Sequence, residues 1–148
     1  MINEWRRDGY LISTNKRLLD VAAIHGFLAR SYWSMGVPLE VVERAIEHSI
    51  AFGLYEEKRQ IGFARVITDR ATFAYLADVF ILEDFRGRGL GEWLIEAVMS
   101  HPELQGLRRW MLITRDAHGL YRKSGFVDLK NPASLMEKTD PTVYFKAD

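Results

Sequence analysis

Apolar residues recur at helical spacing in two early stretches of the chain. From Asp20 to Arg30, the residues Val21, Ile24, Phe27 and Leu28 share one face, and Asp20 stands at the N-cap. Pro38 suits the first turn of a second helix, whose inner face continues through Leu39, Val42, Ala45, Ile46 and Ser49. Between the two, Ser31-Tyr32-Trp33-Ser34-Met35-Gly36 breaks the period and predicts an aromatic loop. Tyr10 to Ser13 predicts a short first strand ahead of the helices.

The period then changes. Ala51 to Tyr55, Gln60 to Thr68 and Thr72 to Leu82 are rich in β-branched and aromatic residues and predict strands. Glu56-Glu57-Lys58-Arg59 is a polar turn, and Asp69-Arg70 is a tight connection that makes the two longer strands antiparallel neighbours. Leu90, Trp93, Leu94, Ala97 and Val98 restore helical spacing up to Pro102. Trp110 to Thr114 predicts a buried strand, and Ala117 to Lys123 a short helix stopped by Gly125. Phe126-Val127 and Val143-Tyr144-Phe145 are the expected last strands. This order predicts a mixed α/β fold with helices covering both faces of a mostly antiparallel sheet, ending in a strand–helix–strand crossover.

Composition narrows the function classes. The 148 residues are 48% hydrophobic and 27% charged, which suits one domain over 1–148 with an ordinary core. Cysteine is absent, so disulfides, thiolate metal sites and a cysteine nucleophile are excluded. Lys plus Arg equal Asp plus Glu, and the basic surplus of a nucleic-acid partner is missing. No run approaches the roughly 20 apolar residues of a membrane span, and no apolar stretch follows the first residues as in a signal peptide. A cytoplasmic protein without membrane or nucleic-acid partners is expected. The four histidines are scattered, so no metal site is expected.

One segment carries chemistry of its own. Gly87, Gly89 and Gly91 alternate between a predicted strand and a predicted helix. Glycine admits positive φ and close backbone approach, and a helix start offers unpaired N–H groups at the positive end of its dipole. Such a loop suits phosphate or pyrophosphate, and Arg86 and Arg88 add charged donors at its rim. A ligand-free strand-to-helix turn fits the glycines equally. A Walker loop does not fit, because no Gly-Lys-Ser/Thr is present. The dinucleotide fingerprint fails too, because its third glycine comes one residue early and its first-unit position is wrong.

Arg86-Gly87-Arg88-Gly89-Leu90-Gly91 resembles the R/Q-x-x-G-x-G/A signature of the GNAT superfamily of N-acetyltransferases. It follows Ala77-Asp78-Val79-Phe80-Ile81-Leu82, where that family carries its cofactor-binding strand. Leu120-Tyr121-Arg122-Lys123-Ser124-Gly125-Phe126 resembles the family's later L-Y-x-K-x-G-F segment. Two motifs in order, separated by a helix and a strand, are more specific than either alone.

The resemblance implies acetyl-CoA as acetyl donor, coenzyme A as product and an amine acceptor. Arg86 to Gly91 would hold the pyrophosphate, and the backbone of Phe80 and Ile81 would pair with the pantetheine arm as an added strand does. Tyr121 would protonate the departing thiolate as general acid. Asp78 is the first candidate for general base and Glu83 the second, with Asp78 alternatively paired to Arg65 or Arg115 as a structural carboxylate. Where the family often carries an asparagine this chain has Asp116, which leaves that cofactor contact open; His118 reaches the cofactor or caps the short helix. Tyr32 and Trp33, with Phe73 and Tyr75, are expected to wall the acceptor pocket, or else to pack beneath the helix pair. The acceptor is a small-molecule or protein amine, and a homodimer is admissible by family analogy. The rival readings are a non-catalytic acyl-CoA sensor, a dinucleotide-dependent oxidoreductase and an interaction protein with an empty loop.

Overall fold

The structure, a computed structural model, describes residues 1–145. Strands β1 (Glu4–Arg7), β2 (Tyr10–Ser13), β3 (Ile50–Glu56), β4 (Arg59–Thr68) and β5 (Phe73–Ile81) are successive antiparallel neighbours. Strand β6 (Arg109–Met111) then joins β5 in parallel. Helices α1 (Val21–Arg30) and α2 (Leu39–Glu47) connect β2 to β3, while α3 (Leu90–Ser100) makes the crossover from β5 to β6 and α4 (His118–Arg122) follows β6.

The helices divide into two cores, one on each face of the sheet. Ile24 and Leu28 of α1 and Val42 and Ile46 of α2 pack with Ala51, Phe63 and Phe80. Trp93, Leu94, Ile95 and Val98 of α3 pack with Phe52, Leu54, Ile61, Val66 and Leu76. Each fully buried large apolar side chain contributes about 1.5–3 kcal/mol. Helix α1 starts where the sequence places its cap, with Asp20 Oδ1 accepting from the Ala23 amide at 3.0 Å.

A bulge in β5 decides which side chains reach which core. The ladder passes from Phe63↔Phe80 to Arg65↔Ala77, so Ala64 faces the two residues Asp78 and Val79. Asp78 adopts φ +56°, a left-handed conformation that Asp tolerates better than most residues. The extra residue inverts the alternation. Ala74 and Leu76 point to the α3 core before it, and Val79 and Ile81 do so after it, which turns Phe80 toward α1.

The structure adds one strand and corrects three expected ones. Strand β1 has a weak sequence signal, with only Trp5 marking its apolar side, yet the Asp8-Gly9 turn that forms the hairpin has φ +51° and +84°. Positive φ at both central residues gives the turn whose twist matches the flanking strands. The strand expected over Trp110 to Thr114 stops at Met111. Phe126-Val127 and Val143–Phe145 are not strands. Phe126 instead sets its ring edge-on to Tyr121 and Trp110, and Val143–Phe145 forms a 3-10 turn after Pro141. Among the described residues no helix is long and apolar enough to cross a membrane.

Candidate active site

The glycine loop has the backbone that its residues require. Gly87 and Gly89 have φ +80° and +78°, where a side chain is strained, and Gly89 is the N-cap of α3. Among the described residues the amides of Gly87, Arg88 and Gly89 donate to no protein acceptor. The first-turn amides of α3 add to this set. A Cβ on Gly87 would meet no heavy atom within 4 Å, so this glycine serves conformation and open approach rather than packing. Arg86 and Arg88 brace the loop. Arg86 Nε donates to the Ile81 carbonyl at 2.9 Å, while Arg88 donates to Tyr10 Oη at 3.0 Å and the Asp84 carbonyl at 3.3 Å. Leu90 is buried beneath the loop in the α3 core.

Beside the loop the sheet opens. Strand β6 pairs with β5 only through Phe73↔Arg109, Ala74↔Trp110 and Tyr75↔Met111. From Leu76 to Ile81 the edge of β5 that would face β6 is unpaired. Phe80 lies on this stretch with its side chain committed to the core, stacked on Phe27 at 4.0 Å; Ile81 packs against the other core. Ile81 therefore offers its backbone N–H alone, since its carbonyl accepts from Arg86, while the backbone of Phe80 is turned to Phe63 across the β4 ladder. A Cβ on Gly91 would meet Ile81 and Leu120 at 3.9 Å each, so the glycine loop, the end of β5 and the start of α4 converge.

Tyr121 stands on α4 and is 9% exposed. Burial pushes its phenol up to about 12, with the nearby Tyr32 hydroxyl adding to the shift. Its hydroxyl has no hydrogen-bond partner among the described residues. A buried phenol with that titration stays protonated at neutral pH and is a donor. Tyr32 is thus brought to the same place from the α1–α2 loop, where its ring lies 5.1 Å from that of Trp33 and Arg115 stacks on it at 3.8 Å. Neither Tyr32 nor Trp33 lies under the helix pair: they are 49% and 41% exposed.

Asp78 projects from the bulge into a network. Its Oδ2 accepts from Arg65 Nε at 2.9 Å and its Oδ1 from Trp33 Nε1 at 3.0 Å. Arg65 in turn donates to Ser49 Oγ at 3.1 Å. Of the two arginines considered for it, Arg65 is the partner, and both carboxylate oxygens are engaged. Tyr75 shares this neighbourhood, with burial and then the Asp78 carboxylate raising its phenol.

Other residues stand apart. Phe73 lies five residues from Asp78 along β5, roughly 16 Å at the rise of a strand, beside the β4–β5 turn. Asp116 is solvent-exposed and stands 4.0 Å from Arg115 Nε. His118 opens α4 and is exposed, lining with Tyr121 an open cavity of about 700 Å³ between the β6 segment and residues 126–137. Glu83 is exposed in the turn before the glycine loop. Among the described residues no three His, Asp or Glu side chains form a metal-binding cluster. Arg7 was missed from sequence: its guanidinium lies 4.0 Å from where a Cβ on Gly89 would sit and 5.5 Å over Trp93. The Asp8-Gly9 hairpin signal would have found it, since that turn folds β1 onto β2 and Arg88 reaches Tyr10 there.

A model of the acetyltransferase (GNAT) domain matches residues 47–128, from the end of α2 to just beyond α4. A Gibberella zeae protein named as an acetyltransferase, FG08082, is 37% identical over 143 residues, covering 81% of this chain and 80% of its own. The crystal structure of xcc2953 from Xanthomonas campestris, assigned to the GNAT family as an acetyltransferase, is 49% identical. It superposes with a TM-score of 0.91 over 95% of this chain and 100% of that one. A Clostridium acetobutylicum acetyltransferase crystallised with acetyl-CoA shares the fold, with 15% identity and a TM-score of 0.62 over 94% of this chain and 96% of its own. The chain belongs to the GNAT family and is an acetyltransferase.

Proposed function

We propose that this acetyltransferase takes acetyl-CoA along the open edge of β5 and passes the acetyl group to a primary amine. The observation that carries the reading is the convergence of three features: unpaired glycine-loop amides, an unpaired β5 edge and the accessible hydroxyl of the otherwise buried Tyr121. The loop amides, with Arg7 at the rim, suit the pyrophosphate. The β5 edge suits the amide groups of the pantetheine arm, which pair with it as an added strand does. A related fold crystallised with acetyl-CoA supports this choice of donor.

The neutral amine attacks the thioester carbonyl carbon, forming the C–N bond. The C–S bond breaks, and the sulfur takes the Tyr121 proton as the thiolate departs. The amine nitrogen gives its extra proton to water, from which Tyr121 is reprotonated. Asp78, with both oxygens occupied by Arg65 and Trp33, serves as a positioning residue that fixes the bulge and the loop rather than as the base. Tyr32 and Trp33 form the wall on the acceptor side.

Thermal unfolding with and without acetyl-CoA tests the donor. Binding to the native state alone stabilises it by about 2.7 kcal/mol at a hundredfold excess over Kd. The wild type should show this shift, and a folded Gly89→Glu variant, which sets a carboxylate in the loop, should lose it. Thiol release on adding primary amines then separates an enzyme from a silent acyl-CoA sensor. Absence of any shift with millimolar acetyl-CoA would overturn the reading.

A further inference from the structure

We propose that the turn Val143–Phe145 is the outer wall of the acceptor site, and that Tyr144 on it selects acceptors with a slim, unbranched chain beside the amine. The inference rests on the acceptor side proposed above.

The turn is made locally. Asp140 Oδ1 accepts from the Thr142 amide at 3.1 Å and from Thr142 Oγ1 at 3.0 Å. The Val143 amide donates to the Asp140 carbonyl at 3.3 Å and the Phe145 amide to that of Thr142 at 2.9 Å. Pro141 fits such a turn because its fixed φ and missing donor cost nothing there. The segment therefore holds its shape without a strand partner.

Two contacts place it over the site. Phe145 lies on Gly36: a Cβ there would come within 2.7 Å of Phe145 Cε1, and Gly36 has φ +77°. Gly36 itself is pinned, since its amide donates to the Ala29 carbonyl of α1 at 2.9 Å. The loop that carries Tyr32 and Trp33 is thus clamped at its far end by a ring from the end of the chain. One residue earlier, Tyr144 closes a slot of about 50 Å³ whose other walls include Val42, Ala45, Phe63, Arg65 and Asp78. Asp78 also receives the Trp33 hydrogen bond, which ties this slot to the Trp33 loop.

The dimensions and lining define what fits. An apolar cavity of about 150 Å³ holds a benzene ring. The slot has a third of that, and apolar side chains share its lining with the Arg65–Asp78 pair. A slot this small admits only the first carbons of a straight chain, whereas a ring or branch beside the amine requires Tyr144 to move.

The test compares n-butylamine with benzylamine as acceptors, acetyl-CoA as donor and thiol release as readout, in wild type, Tyr144→Ala and Phe145→Ala. The wild type should favour n-butylamine in kcat/KM. Tyr144→Ala should cut that preference about tenfold, the scale on which a pocket reads one or two carbons. Acetyl-CoA affinity, measured directly by calorimetry, should stay unchanged. Phe145→Ala should speed hydrogen exchange at the Gly36 amide. An unchanged preference in Tyr144→Ala, or a wild type that binds acetyl-CoA and acetylates neither amine, would overturn the selector role. Unchanged exchange at Gly36 would overturn the wall itself. A wild type that fails to bind acetyl-CoA would count against the proposed function instead, and the exchange result would still decide the contact.

Discussion

Tyr121 shows how a single side chain is prepared for one task. Burial disfavours its phenolate, and the second phenol of Tyr32 nearby does the same, so the group titrates at about 12. It therefore keeps its proton across the neutral range and holds it where no acceptor among the described residues competes for it. Removing that proton donor while keeping the ring should leave packing and cofactor binding intact. Tyr121→Phe is expected to lower kcat about a hundredfold with acetyl-CoA affinity unchanged, the lower end of what a positioned acid supplies. Steady-state kinetics alongside calorimetric titration would show this; equal losses in affinity and kcat would mean the ring, not the hydroxyl, is what matters. Asp78 is prepared for the opposite role. A carboxylate held between a guanidinium and an indole N–H at 10% side-chain exposure is fixed in place, and fixing is what the bulge and the Trp33 loop need from it.

At the scale of elements, β3 carries the least expected arrangement. Tyr55 folds back along its own strand so that a Cβ on Gly53 would land on the Tyr55 hydroxyl. That hydroxyl is buried and without a hydrogen-bond partner, and burial raises its titration well above the ordinary tyrosine value, with the Asp20 and Glu4 carboxylates adding to it. Two consequences follow from one geometry. Gly53→Ala should destabilise the protein by about 1–3 kcal/mol through overpacking. Tyr55→Phe should be neutral or stabilising by about 1 kcal/mol, because it removes an unsatisfied group. The sign of the pH effect is fixed by the direction of the shift. The folded pKa lies above the unfolded value of about 10, so the unfolded chain ionises first and stability falls as pH rises beyond about 10. Tyr55→Phe should therefore flatten the alkaline loss seen in urea unfolding. A variant as alkali-sensitive as the wild type would place the loss elsewhere, on Tyr121 first. Much of this element pattern was legible beforehand, and unevenly so. The glycine loop and the Leu120–Phe126 motif are local, and so are the signals for α1, α2 and α3; these could be read directly. The bulge at Asp78 could not, because it is set by pairing between β4 and β5 rather than by any residue nearby in sequence. Arg65 was nameable as a partner of Asp78, but Trp33 was not, since a loop 45 residues away has to fold onto the strand first. The apolar run Val143-Tyr144-Phe145 suggests a buried strand, but Pro141 just before it favours the turn that forms.

For the whole molecule, the sheet divides into a covered half and an open half, and the division predicts where a ligand will be felt. Strands β3 and β4 have helices on both faces and neighbours on both edges, so their amides should exchange slowly whatever is bound. Strand β5 belongs to both regimes. One edge is laddered to β4, while from Leu76 to Ile81 the other is free. If acetyl-CoA lies along that free edge with its pyrophosphate at the glycine loop, it should protect two sets of amides that no protein group now satisfies. These are the outward-facing amides between Leu76 and Ile81, and those from Gly87 through the first turn of α3. Residues 112–121, across the opening, should gain protection as the gap fills. Helix α2 and the β4–β5 turn lie away from this path and should not change. Hydrogen exchange with mass spectrometry, at saturating acetyl-CoA against free protein, reads all five regions in one experiment. Protection confined to the glycine loop would mean that only the phosphate end is held. Protection centred on residues 126–137 would move the donor to the outer side of β6, into the cavity that His118 and Tyr121 line. The proposed chemistry requires the thioester to reach the Tyr121 hydroxyl from the β5 side, so the location of protection tests the mechanism as well as the binding.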